Sequence, residues 1–299
     1  MANPDQPIAY RSGFIAVAGR PNVGKSTLVN RIMGQELAIV TPKAQTTRHR
    51  ITAIHTLPNA QMVFQDTPGF HDAKTLLNKT LVKAAVKTLE EADVILLMVE
   101  PGERVHGDDL RIIQLIQSTR TPSVVAINKI DTVAPPTLLP LMDEFSKAHA
   151  FAAIVPISAL DGSGVDELVE VLINLLPEGQ PLFPEEDVSD MPVRFFVSEM
   201  VREQIMKLTG EEIPYKTAVE VESFKEKEDI VIIHADIHVE RDSQKKILIG
   251  KNGAMIKKIG IAARKKIETF LDRRVHLELF VKVSPAWTRN AHKLEEFGY

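Results

Sequence analysis

The segment Gly19-Arg20-Pro21-Asn22-Val23-Gly24-Lys25-Ser26 constrains the fold more than any other part of the chain. It matches G-x-x-x-x-G-K-[ST] and lies between a β-rich apolar run, Phe14–Ala18, and a segment with helical apolar spacing, Lys25–Met33. In that setting the glycines let backbone N–H groups wrap a phosphate, and the helix N-terminus faces its negative charge. Lys25 reaches the β- and γ-phosphates, Ser26 offers a hydroxyl to Mg2+, and Thr27 follows in the first helical turn. A loop without any ligand is the alternative, and the strand–loop–helix context speaks against it.

The alternation of strand and helix continues to residue 176. Phe14–Ala18, Arg50–Thr56, Met62–Asp66, Val94–Glu100, Ser123–Asn128 and Ala153–Ile157 read as strands. Lys25–Met33, Leu76–Glu90, Asp108–Gln117, Thr137–Ala148 and Val165–Leu175 carry the 3.6-residue spacing of helices packed on a sheet. This predicts an α/β domain over residues 1–176 with a mostly parallel, doubly wound sheet. Residues 177–192, PEGQPLFPEEDVSDMP, hold four prolines and five acids without a base, so they read as an extended acidic linker. Over residues 193–299 the expected order is helix, strand, strand, helix, helix, strand and a tail, an α+β arrangement. A chain of 299 residues suits two such domains. Zero cysteines exclude disulfides and thiolate chemistry. No apolar run approaches a membrane span and no export signal is evident, so a cytosolic protein is expected.

Three further motifs follow the first loop in order. Asp66-Thr67-Pro68-Gly69 ends a strand, where Asp66 can hold Mg2+ through water and the Gly69 N–H can meet a γ-phosphate. Asn128-Lys129-Ile130-Asp131 ends another. The Asp131 carboxylate would accept from the N1–H and 2-amino group of guanine, whereas adenine offers neither donor and would leave the acid desolvated and unpaired. Ser158-Ala159-Leu160 follows the last strand and supplies the Ala159 N–H to guanine O6. The set argues for GTP over ATP.

A second glycine turn, Gly250-Lys251-Asn252-Gly253, sits between Ile247, Leu248 and Ile249 and the helical stripe Met255, Ile256, Ile259, Ala262, Ala263, Ile267 and Phe270. Its surroundings are basic. Residues 225–299 hold 16 Lys+Arg against 11 Asp+Glu, and Ser243–Lys266 holds Lys245, Lys246, Lys251, Lys257, Lys258, Arg264, Lys265 and Lys266 with no carboxylate among them. Three readings compete: a helix–turn–helix with ordinary glycine caps and a solvated face, a second nucleotide loop, or a GxxG clamp on a nucleic-acid backbone. The missing Lys-Ser pair disfavours the second, and the cations favour the third. Bases would then lie against Ile249, Ile256 and Ile259, although most of that stripe suits the core. His234 and His238 share a strand face without a third ligand, which favours a structural role. Trp287 with Arg289 can stack on a base or pack on the domain, and packing is the simpler reading. Lys79, Lys83 and Lys87 read as a solvated helix face, or as part of a mobile switch.

Together these residues resemble the translation-factor-related GTPases, and among them the Era family, whose members pair a GTPase domain with a C-terminal type II KH domain. The resemblance covers nearly the whole chain. It implies a first switch in Thr41–Arg50, with Thr47, or its neighbour Thr46, sensing Mg2+ and the γ-phosphate. Phe70 follows Gly69 where Ras-like enzymes have a water-orienting glutamine, so unaided hydrolysis should be slow. The resemblance further implies a potassium ion coordinated by Asn22. It also implies binding to the 3′ end of 16S rRNA during 30S subunit maturation, and some peripheral association with the inner membrane. A tRNA-modifying GTPase is disfavoured by the lack of a terminal cysteine. An RNA-binding scaffold with a vestigial nucleotide site is disfavoured by the presence of Lys25, Ser26, Asp66 and Asp131.

Overall fold

The computed structural model describes residues 9–41, 43, 46–48, 50–66 and 76–298. Contacts divide the chain into two units, one built mainly of residues up to 190 and the other mainly of residues from 191 onward.

The first unit has strands β1 (Arg11–Gly19), β2 (Ile51–Leu57), β3 (Ala60–Asp66), β4 (Val94–Val99), β5 (Ser123–Ile127) and β6 (Ala153–Pro156) in one sheet of order β2-β3-β1-β4-β5-β6. Every neighbouring pair is parallel except β2–β3, a hairpin closed by Pro58 and Asn59. Central β4 and β5 are buried along their whole length, as their near-continuous apolar sequences require for a strand covered on both faces. Helices α1 (Lys25–Met33), α2 (Leu76–Glu91), α3 (Gly107–Ser118), α4 (Leu138–Ala148) and α5 (Val165–Leu175) connect the strands. Ala85 and Leu89, Ile112 and Ile116, and Leu141 and Phe145 turn the inner faces of α2, α3 and α4 into one core with β4 and β5. Lys79, Lys83 and Lys87 are exposed on α2, in line with a solvated face.

Residues 177–190 are extended, as expected of the acidic segment, but are hydrogen-bonded along the first unit. Ser12 N–H donates to Pro177 O (3.1 Å) and Gly179 N–H to Tyr10 O (3.0 Å). Fully buried Gln61 accepts from Leu182 and Phe183 N–H (2.7 and 2.9 Å) and donates to Phe183 O (2.9 Å). Ile54 N–H of edge strand β2 donates to Val188 O (3.0 Å), and Ser189 Oγ donates to Thr52 O (2.5 Å). The prolines do prevent regular structure. An extended segment nonetheless satisfies the outward-facing groups of a sheet edge, which would otherwise stay unpaired.

The second unit follows the order α6 (Val193–Leu208), β7 (Ala218–Glu226), β8 (Val231–Val239), α7 (Asp242–Ile249), α8 (Ala254–Leu271), β9 (Val275–Val283). Its sheet is β7-β8-β9, with β7–β8 antiparallel and β8–β9 parallel. This is the type II KH arrangement. Along β8, Val231, Ile233, Ala235, Ile237 and Val239 are all buried, a two-residue period that marks the core face. Ile259, Ala263 and Ile267 are the buried stripe of α8, four residues apart. Ile259 is thus core and is unavailable to a ligand. The tail closes the unit with α9 (Ala291–Glu296). Trp287 is fully buried, donates from Nε1 to Lys216 O (3.1 Å) and meets Phe297 edge-on at 5.5 Å between centroids, so packing is the correct reading for it. His238 is bonded to Ser284 Oγ (2.9 Å) and His234 lies 3.4 Å from Glu278, both structural placements.

Removing a fully buried indole leaves a large cavity, so Trp287→Ala should cost about 3–5 kcal/mol. Urea denaturation followed by circular dichroism measures it, and a loss below 1 kcal/mol would place Trp287 outside the core.

Candidate functional site

The phosphate loop leaves the C-terminal end of β1, inside the sheet where the connections diverge to either side, a position at which open α/β sheets bind ligands. Its backbone turns are left-handed at Asn22 (φ 67°) and Gly24 (φ 101°). A Cβ on Gly24 would lie 2.2 Å from Asn128 Nδ2, so glycine is required by both conformation and space. Lys25 is buried, and its ammonium donates to Gly19 O (3.1 Å) and Arg20 O (3.0 Å), which curls the loop. Burial lowers its pKa to about 8, against the opposing attraction of Asp66. The Arg20 side chain turns away and donates from Nε to Asp109 Oδ1 (2.9 Å). Asp109 is buried in the first turn of α3, and burial raises its carboxyl above the usual range while Arg20 opposes the shift. Its sequence position reads only as a helix-start acid, so its bracing of the loop was not legible there.

Ser26, Thr47 and Asp66 converge. Ser26 Oγ donates to Asp66 Oδ2 (2.7 Å) and lies 3.1 Å from Thr47 Oγ1, and Thr47 Oγ1 donates to the same carboxylate oxygen (3.3 Å). Asp66 Oδ1 is buried and has no hydrogen-bond partner among the described residues. Burial raises the Asp66 carboxyl above its ordinary value, while Lys25, Ser26 and Thr47 pull it down. One orphaned carboxylate oxygen beside two hydroxyls is a hard-oxygen set that suits Mg2+, whose remaining positions go to phosphates and water. No group of three His, Cys, Asp or Glu able to hold a metal occurs among the described residues, so no all-protein cage competes with this set. Thr67, Pro68, Gly69 and Phe70 lie outside the described residues.

The base side is assembled from two loops. Asn128, buried at the end of β5, donates to Val23 O (2.7 Å) and accepts from Ala159 N–H (2.8 Å). A base carbonyl arriving at Ala159 therefore shares that donor with Asn128. Lys129 adopts φ 67°, donates to Asn22 O (2.9 Å) and pairs with Glu100, the residue just after β4, which sequence reasoning missed. Asp131 Oδ1 accepts from Ser158 Oγ (2.7 Å), which orients the carboxylate. The loop is closed by Gly162 N–H to Ser158 O and Ser158 N–H to Ser163 O, both 2.8 Å.

A second candidate surface lies on the other unit. Gly250 (φ 73°, ψ 174°) ends α7, donates its N–H to Lys246 O (2.9 Å), and would place a Cβ 2.8 Å from Met255. Its glycine is therefore explained by the turn alone. Gly253 (φ 76°) has nothing within 4 Å of a would-be Cβ, and Lys251 and Asn252 are exposed, so the outer side of the turn is open to an approaching backbone. Beside it, Ile256, Lys257, Gly260, Ile261, Arg264, Leu277 and Leu279 line a groove of about 290 Å³ between α8 and β9. Of the residues expected to touch a ligand, Ile256 and Lys257 line this groove; Lys245, Lys246 and Ile249 do not. Leu277 and Leu279 come from a strand whose register beside α8 the sequence does not reveal. Lys266 pairs with buried Glu203 (2.6 Å), so one of the eight cations is opposed across the fold although no acid is near it in sequence.

Two family models match the chain: a 50S ribosome-binding GTPase over residues 14–129 and a KH domain over residues 212–288. GTPase Era of Geotalea uraniireducens is 51% identical over 97% of this chain and 98% of its own, and GTPase Era of Geotalea daltonii is 50% identical over the same shares. The crystal structure of Era in complex with MgGDPNP and nucleotides 1506-1542 of 16S ribosomal RNA is 44% identical, with a TM-score of 0.93 over 97% of this chain and 99% of that one. A point variant of Aquifex aeolicus Era bound to GDP.AlF4- matches equally well, with TM-score 0.93.

A polyphosphate at Lys25 favours the ammonium form and raises a pKa that burial has lowered to about 8. Well below pH 8 the lysine is charged with and without ligand. Above it, binding must take up a proton, and affinity should fall as pH rises. Calorimetric titration with GDP at pH 8.5 should thus give heats that depend on the ionisation enthalpy of the buffer; heats identical in all buffers would oppose the assignment.

Proposed function

The chain belongs to the Era family of GTPases, and from that premise we propose that it binds GTP and GDP at residues 19–26, hydrolyses GTP with Mg2+, and holds the 3′ end of 16S rRNA through its KH unit during 30S subunit maturation. The convergence of the Ser26, Thr47 and Asp66 oxygens beside the phosphate loop carries the enzymatic part of this reading.

The nucleotide's phosphates lie along the backbone of Gly19–Ser26, and Lys25 leaves its loop carbonyls for the β- and γ-oxygens. Asn128, Lys129 and Asp131 with Ser158–Leu160 enclose the base. Asp131, held by Ser158, accepts from N1–H and the 2-amino group, so an adenine there would cover the carboxylate without offering it either donor. Ser26, Thr47 and Asp66 would hold Mg2+, which when bound neutralises charge on the phosphate oxygens. Thr47 sits 3.1 Å from Ser26 and so can report whether that site is complete. With Phe70 after Gly69, no side chain there orients the attacking water, and catalysis rests on positioning and electrostatics. Asn22, exposed on the loop, is the residue that would coordinate a potassium ion.

On the KH unit, the open side of the GKNG turn takes the RNA backbone, and Ile256, Leu277 and Leu279 offer an apolar bed for bases. No helix among the described residues is long and apolar enough to cross a membrane. We place the protein in the cytoplasm, with peripheral contact to the inner membrane as the association that vesicle co-sedimentation would test.

Two outcomes are expected. GTP hydrolysis should be faster in potassium than in sodium and should rise when the rRNA 3′ segment is added. Asn22→Gly, which keeps the left-handed backbone that alanine would strain, should abolish the potassium effect; equal rates in both salts would remove the potassium role. Replacing Lys251 and Asn252 together by aspartate should abolish binding of that RNA in a filter assay while GDP affinity stays unchanged. Retained RNA binding would move the RNA site off the GKNG turn.

A further inference from the structure

The loop that carries Ser158, Ala159 and Leu160 is held from outside at three points. Ser158 bonds to Asp131 and Ala159 to Asn128, both on the loop after β5. The third hold comes from the opposite direction. Arg31, in the last turn of α1, donates from Nη2 to Leu160 O at 2.7 Å. Burial of the Leu160 side chain does little to keep it in place, since it is 76% exposed.

The seat of the guanidinium is shaped for it. Gly162 lies at φ +99°, and a Cβ there would stand 3.2 Å from Arg31 Nη2 and 3.4 Å from Cζ. Glycine thus makes the turn and leaves the space that the planar group occupies. Asp161 adds charge: its carboxyl is held below the usual range, first by the Ser163 N–H and in smaller part by Arg31. α1 is a single helix of 9 residues, about 13 Å of rigid element, with the phosphate loop at one end and Arg31 at the other. The position of residue 160 is therefore referred to the same helix that positions the phosphates.

We propose that Arg31 is a positioning residue for base recognition: by holding the Leu160 carbonyl it keeps the adjacent Ala159 N–H where guanine O6 must meet it. The inference rests on the guanine-nucleotide reading given above. Arg31 touches no part of the nucleotide in this scheme; it fixes the loop that does. Without it, the Leu160 carbonyl loses this hold, the turn is left to its internal bonds from Ser158, and the O6 contact weakens, while the Asp131 contacts to N1–H and the 2-amino group stay, because Ser158 still holds Asp131.

Calorimetric titration with GDP, with 6-thio-GDP, in which a weaker acceptor replaces O6, and with IDP, which lacks only the 2-amino group, separates these contacts. In Arg31→Ala, GDP affinity should fall about fivefold, the worth of one hydrogen bond from a charged donor at a partly solvated site. Affinity for 6-thio-GDP should fall less than twofold, and the GDP-to-IDP ratio should stay at the wild-type value. Arg31→Lys, which keeps a charged donor, should restore most of the GDP loss. Because Arg31 is exposed, the melting temperature should not move. Equal losses for GDP and 6-thio-GDP, or no loss for GDP, would overturn the inference. A wild-type protein that binds IDP as tightly as GDP would instead overturn the guanine reading itself, and with it the basis for this one.

Discussion

The nucleotide site depends on one side-chain amide. Asn128 is buried at the end of β5 and uses both ends of its amide, donating to the phosphate loop at Val23 O and accepting from Ala159 N–H in the base loop. A buried amide left half-satisfied would cost more than a hydrogen bond gains, so these two loops stay in register with β5 as long as the core is intact. Gly24 is the counterpart of this arrangement, since any Cβ there would collide with that amide. The chemistry then sits around a fixed frame, with Lys25 and the Ser26–Thr47–Asp66 oxygens on one side and Asp131 on the other.

Around that frame the charged groups are used in two ways. Some are paired within the protein and brace it: Arg20 with Asp109, Lys129 with Glu100, and, in the second unit, buried Arg202 with Glu199 at 2.6 Å. Removing Arg20 would strand buried Asp109, and removing either Arg202 or Glu199 would strand the other, in a poor solvent. Others carry their shifted character toward a ligand. Lys25 and Asp66 are buried together and each is pushed toward its neutral form, a cost that phosphate and a divalent ion would relieve. The KH unit shows the same division on a smaller scale, with Lys266 neutralised by Glu203 while Lys251 and Lys257 face solvent.

The places where sequence reasoning fell short have a common cause. Residues 177–192 look like a linker because a composition with four prolines speaks only about local order, and it is silent on an edge strand more than a hundred residues away that needs partners. Leu277 and Leu279 of β9 complete the groove beside the GKNG turn, and no window of sequence around that turn contains them. Asp109, Glu100 and Arg31 act through contacts with partners 89, 29 and 129 residues distant in the chain. Nothing in their own neighbourhood marks them.

What the amino-acid sequence determined by itself is the set of local instructions. The glycine-rich first loop, the Asn128–Asp131 motif, the GKNG turn, the alternation of elements and the αββααβ order of the second half are all written in short windows, because glycine conformation, helix periodicity and strand alternation act over a few residues. Which charges are opposed, which apolar residues line a groove rather than a core, where the acidic segment lies, and which side chains bond to the 158–160 loop emerge only in the folded chain. Those outcomes depend on burial and on partners far apart in the chain, and desolvation, which sets the strength of every such pairing, does not exist until the chain has folded.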